Sequence, residues 1–382
     1  MCTLLSPAKR KTTSKDGSGK KKSGNKKPGA KRVKEQQNIA LRRLINSILG
    51  IVLLFVVLTG GYYVWTFLGR PGLNPPAGNE STACLELYFF DSSVAYLVPV
   101  MRRVTLAPGD SRTVKAVQEY AIGPKDPQLA RVYPANIPIP VISIRGDVAV
   151  VDLPKEIRSH LGGTYREKSL LDSLALTVKA AGECSKVRLL IGGEIQEATP
   201  EGYEIDNPME PPKNINMVPD SSIEGNSSWV TAYFLDASGN YLVPLSVQSD
   251  NESPPAEFAV NRMLDGPPPG AVPGIRRISP PGYELDKIAI ENGAAEVNIL
   301  IPNPQSAFPN SSIGIFQRAL YLSLRDCCDI TSLTLKINEK DVETYSRFAN
   351  LPDVSDENCW NLEAGSENNA GEIMTSTAGG GE

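Results

Sequence analysis

Few of the 382 residues have types and spacing suited to covalent chemistry. The one histidine, His160, sits in the polar stretch Arg158-Ser159-His160-Leu161-Gly162-Gly163. A Ser-His-Asp or Cys-His mechanism would depend on it alone, and it has no equivalent in the second half of the chain, so it reads as an exposed loop residue. G-x-S-x-G, H-E-x-x-H and G-x-x-x-x-G-K are all absent. Paired carboxylates about 5–10 Å apart would support acid–base work. Of the candidates, Asp152 is replaced by Asn298 at the equivalent later position, and Asp172 by Arg318. Asp91 and Asp236 do repeat, but both stand where an Asx side chain caps its own turn. The cysteines are Cys2, Cys84, Cys184, Cys327, Cys328 and Cys359, without C-x-x-C spacing. That excludes a zinc ribbon or thioredoxin motif. Cys84 and Cys184 are the candidate disulfide, two unpaired thiols being the alternative. No catalytic residue, metal site or cofactor is expected.

What these residues are mounted on is more legible. Residues 44–68, LINSILGIVLLFVVLTGGYYVWTFL, carry no charge. At about 1.5 Å per residue this run crosses a ~30 Å hydrocarbon core as one helix. Tyr62, Tyr63 and Trp65 supply boundary aromatics at its outer end. Residues 1–43 hold fourteen Lys/Arg against two acids, which leaves 25 basic and 41 acidic residues for 44–382. The positive-inside rule then puts a disordered basic arm, 1–43, in the cytoplasm and the acidic body outside a single-pass cell membrane anchor. An acidic body also argues against nucleic acid as a partner.

The body is a duplication. Tyr88-Phe-Phe-Asp-Ser-Ser-Val-Ala-Tyr-Leu-Val-Pro99 matches Tyr233-Phe-Leu-Asp-Ala-Ser-Gly-Asn-Tyr-Leu-Val-Pro244 at eight of twelve positions, at a constant offset of 145. That period is too long for a solenoid unit. Each copy, 83–197 and 228–345, reads as strand, turn, second strand, helix, hairpin, longer helix and final strand. Helices are expected at 111–122 and 255–264, each stopped by Gly-Pro, and at 168–181 and 312–325. The fold class is therefore α+β: two tandem copies of a small mixed sheet packed with two helices, preceded by one transmembrane helix. Residues 198–227 read as a linker and 346–382 as a disordered tail.

This ordered set resembles the GerMN, or sporulation and spore germination, domain family, which occurs in tandem in GerM-type proteins. The likeness rests on Y-F-x-D…Y-L-V-P, on the helix ending in G-P, on x-G-x-x-x-V-[DN]-[LI], and on the late helix that leads into a V-x-x-x-I strand. It implies a non-catalytic protein that works outside the membrane in spore-envelope formation and germination. Several relatives are lipoproteins, whereas this chain reads as anchored by a span. The expected role is a scaffold with protein partners or self-assembly in the envelope. The alternatives are a module for peptidoglycan or another wall polymer and, third, a wall hydrolase. Proline is excluded from central ladders, so the strands of Pro99 and Pro244 should lie at edges. The second has less charge to blunt it, which nominates Tyr241, Val243, Leu245 and Val247 as a partner-contact edge. If the topology is right, protease added to intact protoplasts digests 69–382 and spares 1–43. Protection of the body would reverse the assignment.

Overall fold

The computed structural model describes residues 81–220, 223, 227–271, 273–303, 310–342 and 360–364. All lie in one compact unit, Gly78–Glu382. The apolar run 44–68 and the basic arm lie outside the described residues. Among the described residues no helix is long and apolar enough to cross a membrane.

In the first copy, β1 (Ser81–Asp91) and β2 (Leu97–Leu106) form an antiparallel hairpin, extended by the two-residue β3 (Leu129–Ala130). Helix α1 (Arg112–Ile122) starts at Ser111, whose hydroxyl accepts from the Val114 N–H, and stops at Gly123 with φ 90°. A side chain at that φ would be strained, which is why glycine ends the helix. Next come β4 (Val141–Arg145), β5 (Val148–Leu153), α2 (Thr164–Ala181) and β6 (Lys186–Ile191). β4 and β5 are antiparallel, whereas β5 and β6 are parallel and joined through α2. The second copy repeats this order: β7 (Ser228–Leu235), β8 (Leu242–Ser249), α3 (Pro255–Asp265), β9 (Glu284–Glu291), β10 (Ala294–Leu300), α4 (Asn310–Cys328), β11 (Ser332–Ile337) and the short β12 (Lys340–Asp341). Asn292 and Gly293, both at positive φ, make the tight turn between β9 and β10.

The expected elements are present, but each copy has two small sheets rather than one. The hairpins stand as β2-β1-β3 and β7-β8, apart from the mixed sheets β4-β5-β6 and β12-β11-β10-β9. The long helix of each copy joins them, α2 packing on β1 and β6 and α4 on β7 and β11. Burial alternates along β1: Leu85, Leu87 and Phe89 enter the core, while Cys84, Glu86 and Tyr88 turn to the other face.

Neither core belongs to one copy. The first cluster runs from Leu87, Val100, Tyr120 and Leu174 to Phe234, Val243, Leu245 and Val247 of the second copy. The second cluster centres on Val260, Phe316 and Val297 and takes in Met101 of the first copy. The stretch 198–227, read as a linker poor in core residues, contributes Ile205 and Val218, 1% and 4% exposed. Met209 also pairs with Val187 and covers the edge of β6. Within 346–382, read as a disordered tail, residues 360–364 dock on the body, with Trp360 edge-to-face on Tyr233 at 6.0 Å.

Shared cores predict joint unfolding. In urea, Trp fluorescence and far-UV circular dichroism of the body should trace one coincident transition. Two separated transitions would show that the copies melt independently.

Candidate functional site

The residues that set the surface of this body meet where the two hairpins face each other. β2 and β8 pack together, and each would carry unpaired backbone groups along one edge. Two straps cover those edges, and they do so crosswise. The strap at 215–218, which follows the first copy, lies on β8: Ser246 N–H donates to Ile215 O at 3.2 Å and Val218 N–H to Ser246 O at 2.8 Å. The strap at 360–364, which follows the second copy, lies on β2: Met101 N–H donates to Asn361 O at 3.0 Å and Glu363 N–H to Met101 O at 2.9 Å.

One asparagine keys each strap. Asn216 accepts from Leu97 N–H and donates to Leu97 O and to Pro244 O, each at 2.8 Å. Asn361 accepts from Leu242 N–H and donates to Leu242 O and to Pro99 O, each at 2.7 Å. Both have φ 50°, a left-handed conformation that asparagine tolerates better than most residues. Residues 216 and 361 are themselves separated by the 145 of the hairpin repeat. Each amide thus ties its own copy's leucine to the other copy's proline carbonyl.

The joints beside the keys differ. On β2, Arg102 is fully buried and all its N–H groups find acceptors. Its Nε and Nη2 bind Glu363 at 2.7 and 3.0 Å, Nη1 binds Glu119 Oε2 at 3.1 Å and O at 3.0 Å, and Nη2 binds Gly123 O at 2.8 Å. Arg102 also lies over the Phe89 ring at 5.5 Å. Glu363, 1% exposed, accepts in addition from the Lys125 N–H at 2.5 Å. Burial pushes the Glu119 carboxyl up, but hydrogen bonds from Lys115 and Arg102 outweigh it and hold the group below the ordinary glutamate value. At the equivalent places on β8 stand Val247 and Val218, which pair as an apolar bridge.

The nominated edge residues are therefore interior. Tyr241, Val243, Leu245 and Val247 are all 1% exposed or less. The edge does take a partner strand, but that strand is the chain's own 215–218. Tyr241 donates to Asp126 Oδ2 of the first copy at 2.6 Å, and burial pushes its hydroxyl well up. The disulfide reading also fails: Cys84 is disulfide-bonded, but not with Cys184, which is a free buried thiol. Strand alternation explains this, since Cys84 points away from the core face on which Cys184 packs.

The acids are spent on backbone. Asp91 accepts from the N–H groups of Ser93, Ala95 and Tyr96 at 2.7–2.9 Å. Asp236 does the same for Ser238, Asn240 and Tyr241 at 2.9–3.1 Å. The structure brings these two turns together on one cavity of about 280 Å³ that also touches Tyr96, Gln128 and Val243. Asp152 accepts from Gly193 N–H at 2.8 Å and Asn298 from Glu339 N–H at 2.9 Å. The same loop tie needs only an oxygen acceptor, so Asp and Asn serve alike. Asp172 pairs with Lys168 one helical turn away. His160 is exposed, its Nδ1 3.0 Å from Ser159 Oγ. A second cavity, about 310 Å³, is lined by Tyr96, Tyr165, Lys168, Asp172, Asn214 and Asn216. Among the described residues no group of three His, Cys, Asp or Glu is placed to hold a metal ion. Reading the sequence missed Asn216, Asn361, Arg102 and Glu363. The available signal was the apolar-Asn-apolar triplet repeated at the hairpin offset, in Ile215-Asn216-Met217 and Trp360-Asn361-Leu362.

Residues 86–197 match the family model described as Germane: Sporulation and spore germination. Among solved structures, the tandem GerMN domains of the sporulation protein GerM from Bacillus subtilis align with TM-score 0.52 and 20% identity, over 68% of this chain and 92% of theirs. The first GerMN domain of the same protein alone gives TM-score 0.27 and 21% identity over 34% of this chain and 97% of its own. A putative lipoprotein from Clostridium perfringens gives TM-score 0.25 and 15% identity over 35% and 88%. No curated protein matches significantly. The described body thus has the fold of tandem GerMN domains.

The two joints make a double-mutant test. Glu363→Gln removes one of the two carboxylates that pair with buried Arg102 and leaves Glu119 as the other, so it should cost about 1–3 kcal/mol. Arg102→Val with Glu363→Val, copying the other joint, should recover most of that in denaturant midpoint. Equal losses in both chains would mean that strap backbone bonds, not the ion pair, carry the joint. For Glu119 the sign is fixed by its lowered folded value. Its contribution is complete above the ordinary glutamate range, about pH 4.3, and is lost as pH falls through the folded value.

Proposed function

We propose, from a chain whose residues 86–197 match the sporulation and spore germination family model, that the protein is a non-catalytic, membrane-tethered assembly scaffold of the spore envelope. Its span at 44–68 would hold the body outside the membrane, where protein partners or further copies bind. One observation carries this reading. Two copies of a domain are locked through reciprocal straps and shared cores into a single body, which presents surfaces at fixed spacing. Asp91, Asp152 and Asp236, which drew attention as chemistry, are engaged in turns and a loop tie, which fits a scaffold. The second reading, a wall-polymer module, draws support from the 310 Å³ cavity, where Tyr165 is 50% exposed beside Lys168 and Asp172.

Deleting the gene should lower the yield of heat-resistant spores. Chains carrying His160→Ala or Asp172→Asn should restore it, and one with the destabilising Glu363→Gln should not. A folded His160→Ala chain that failed to restore would argue for chemistry. Sedimentation of the protein with isolated cell wall, lost on Tyr165→Ala, would favour the polymer reading.

A further inference from the structure

With β2 and β8 closed by straps, the outer edges of the two mixed sheets, β4 and β9, have no further partner strand among the described residues. β6 is covered by Met209 and β11 by β12, and β7 exchanges bonds with Arg276. Among the described residues, β4 pairs only with β5, and β9 only with β10. β4 is short and apolar: Val141 is 71% exposed, Ile144 38% and the preceding Ile139 47%. Pro138 and Pro140 limit pairing to about the five residues Val141–Arg145. Its only charge is Arg145. β9 is longer and acidic, exposing Glu284, Asp286 and Glu291 with Lys287 the one base. An exposed apolar edge without blunting charge is a template for another strand.

From this we infer a head-to-tail contact between copies of this chain, in which β4 of one molecule adds to β9 of the next. Charge selects this pairing. Two β9 edges would set like charges face to face, whereas Arg145 meets a carboxylate only across β4 and β9. Such a contact is heterologous: it leaves one free β4 and one free β9 on every pair, so it extends or closes into a larger assembly instead of stopping at a dimer. Five paired residues bury too little surface for a tight complex and fall in the weak class below about 1,200 Å². Confinement on one membrane raises effective concentration enough to use weak contacts. The inference rests on the scaffold reading and names the second copy as a partner within it.

The test uses the full-length chain in liposomes at rising surface density, with energy transfer between labelled copies as readout. Wild type should associate. Val141→Glu alone, and Glu284→Lys with Asp286→Lys alone, should each weaken association at least tenfold. Mixed together, those two chains retain one intact β4 and one intact β9, so association should recover. Arg145→Glu should also weaken it, and combining Arg145→Glu with the two lysine changes should restore it. Wild type that stays monomeric at every density overturns the inference. So does self-association of the Glu284→Lys, Asp286→Lys chain, because that would be β4 meeting β4. A monomeric chain that still restored spore yield would remove this contact and leave the scaffold reading standing. Persistent association without restored yield would do the reverse.

Discussion

Every buried strand edge must have its N–H and C=O groups satisfied, and the form of this body follows from how that requirement is met at β2 and β8. A peptide group left unpaired away from water costs about 1–3 kcal/mol. Each strand carries a proline, Pro99 or Pro244, so its ladder lacks a donor and cannot be continued by an ordinary neighbouring strand. The chain supplies a short strap in place of a full strand, and a side-chain amide in place of a peptide. A carboxamide offers the same acceptor and donor geometry as the backbone, with one extra N–H. Asn216 and Asn361 spend that extra N–H on the proline carbonyl across the interface. Pairing each edge with a strap that follows the other copy is what turns two domains into one body.

The same joint is built in two chemistries. On β8 it is Val218 on Val247, an ordinary apolar contact. On β2 it is a fully hydrogen-bonded Arg102–Glu363 pair whose guanidinium also holds the last carbonyls of α1. Removing two charges from water is expensive, and a buried pair returns that cost only if its remaining donors and acceptors are met. Here they are met by Glu119, Gly123 and the Lys125 N–H. The ionic joint is therefore tied to position: it works only when strap, helix end and strand are all in place. The apolar joint has no such demand.

This arrangement also decides what the body can offer to others. The inner edges are consumed in joining the copies, so their aromatic and branched residues, Tyr241 and Val243 among them, are core and not surface. The outer strands β4 and β9 keep their edges, and they differ in charge. Two like halves thus carry two unlike free edges.

By itself the sequence determined the elements and their duplication. Apolar periods of 2 and 3.6, Gly-Pro after each first helix and Asn-Gly in the second hairpin are local rules, and local rules fixed where helices and strands start and stop. Asp91 and Asp236 were legible as turn caps for the same reason, since each bonds N–H groups within five residues of itself. Only the tertiary structure decided which edges are buried. Asn216, Asn361 and Glu363 lie in Pro- and Asn-rich stretches with no periodicity, and their partners are 28 to 262 residues away. Their placement follows from the geometry of two hairpins brought face to face, a long-range constraint that leaves no period in the chain. Which face Cys84 takes could be counted along the strand, but what lies opposite that face could not. Pairing across the fold is set by the packing of surfaces, and that packing exists only once both copies are folded together.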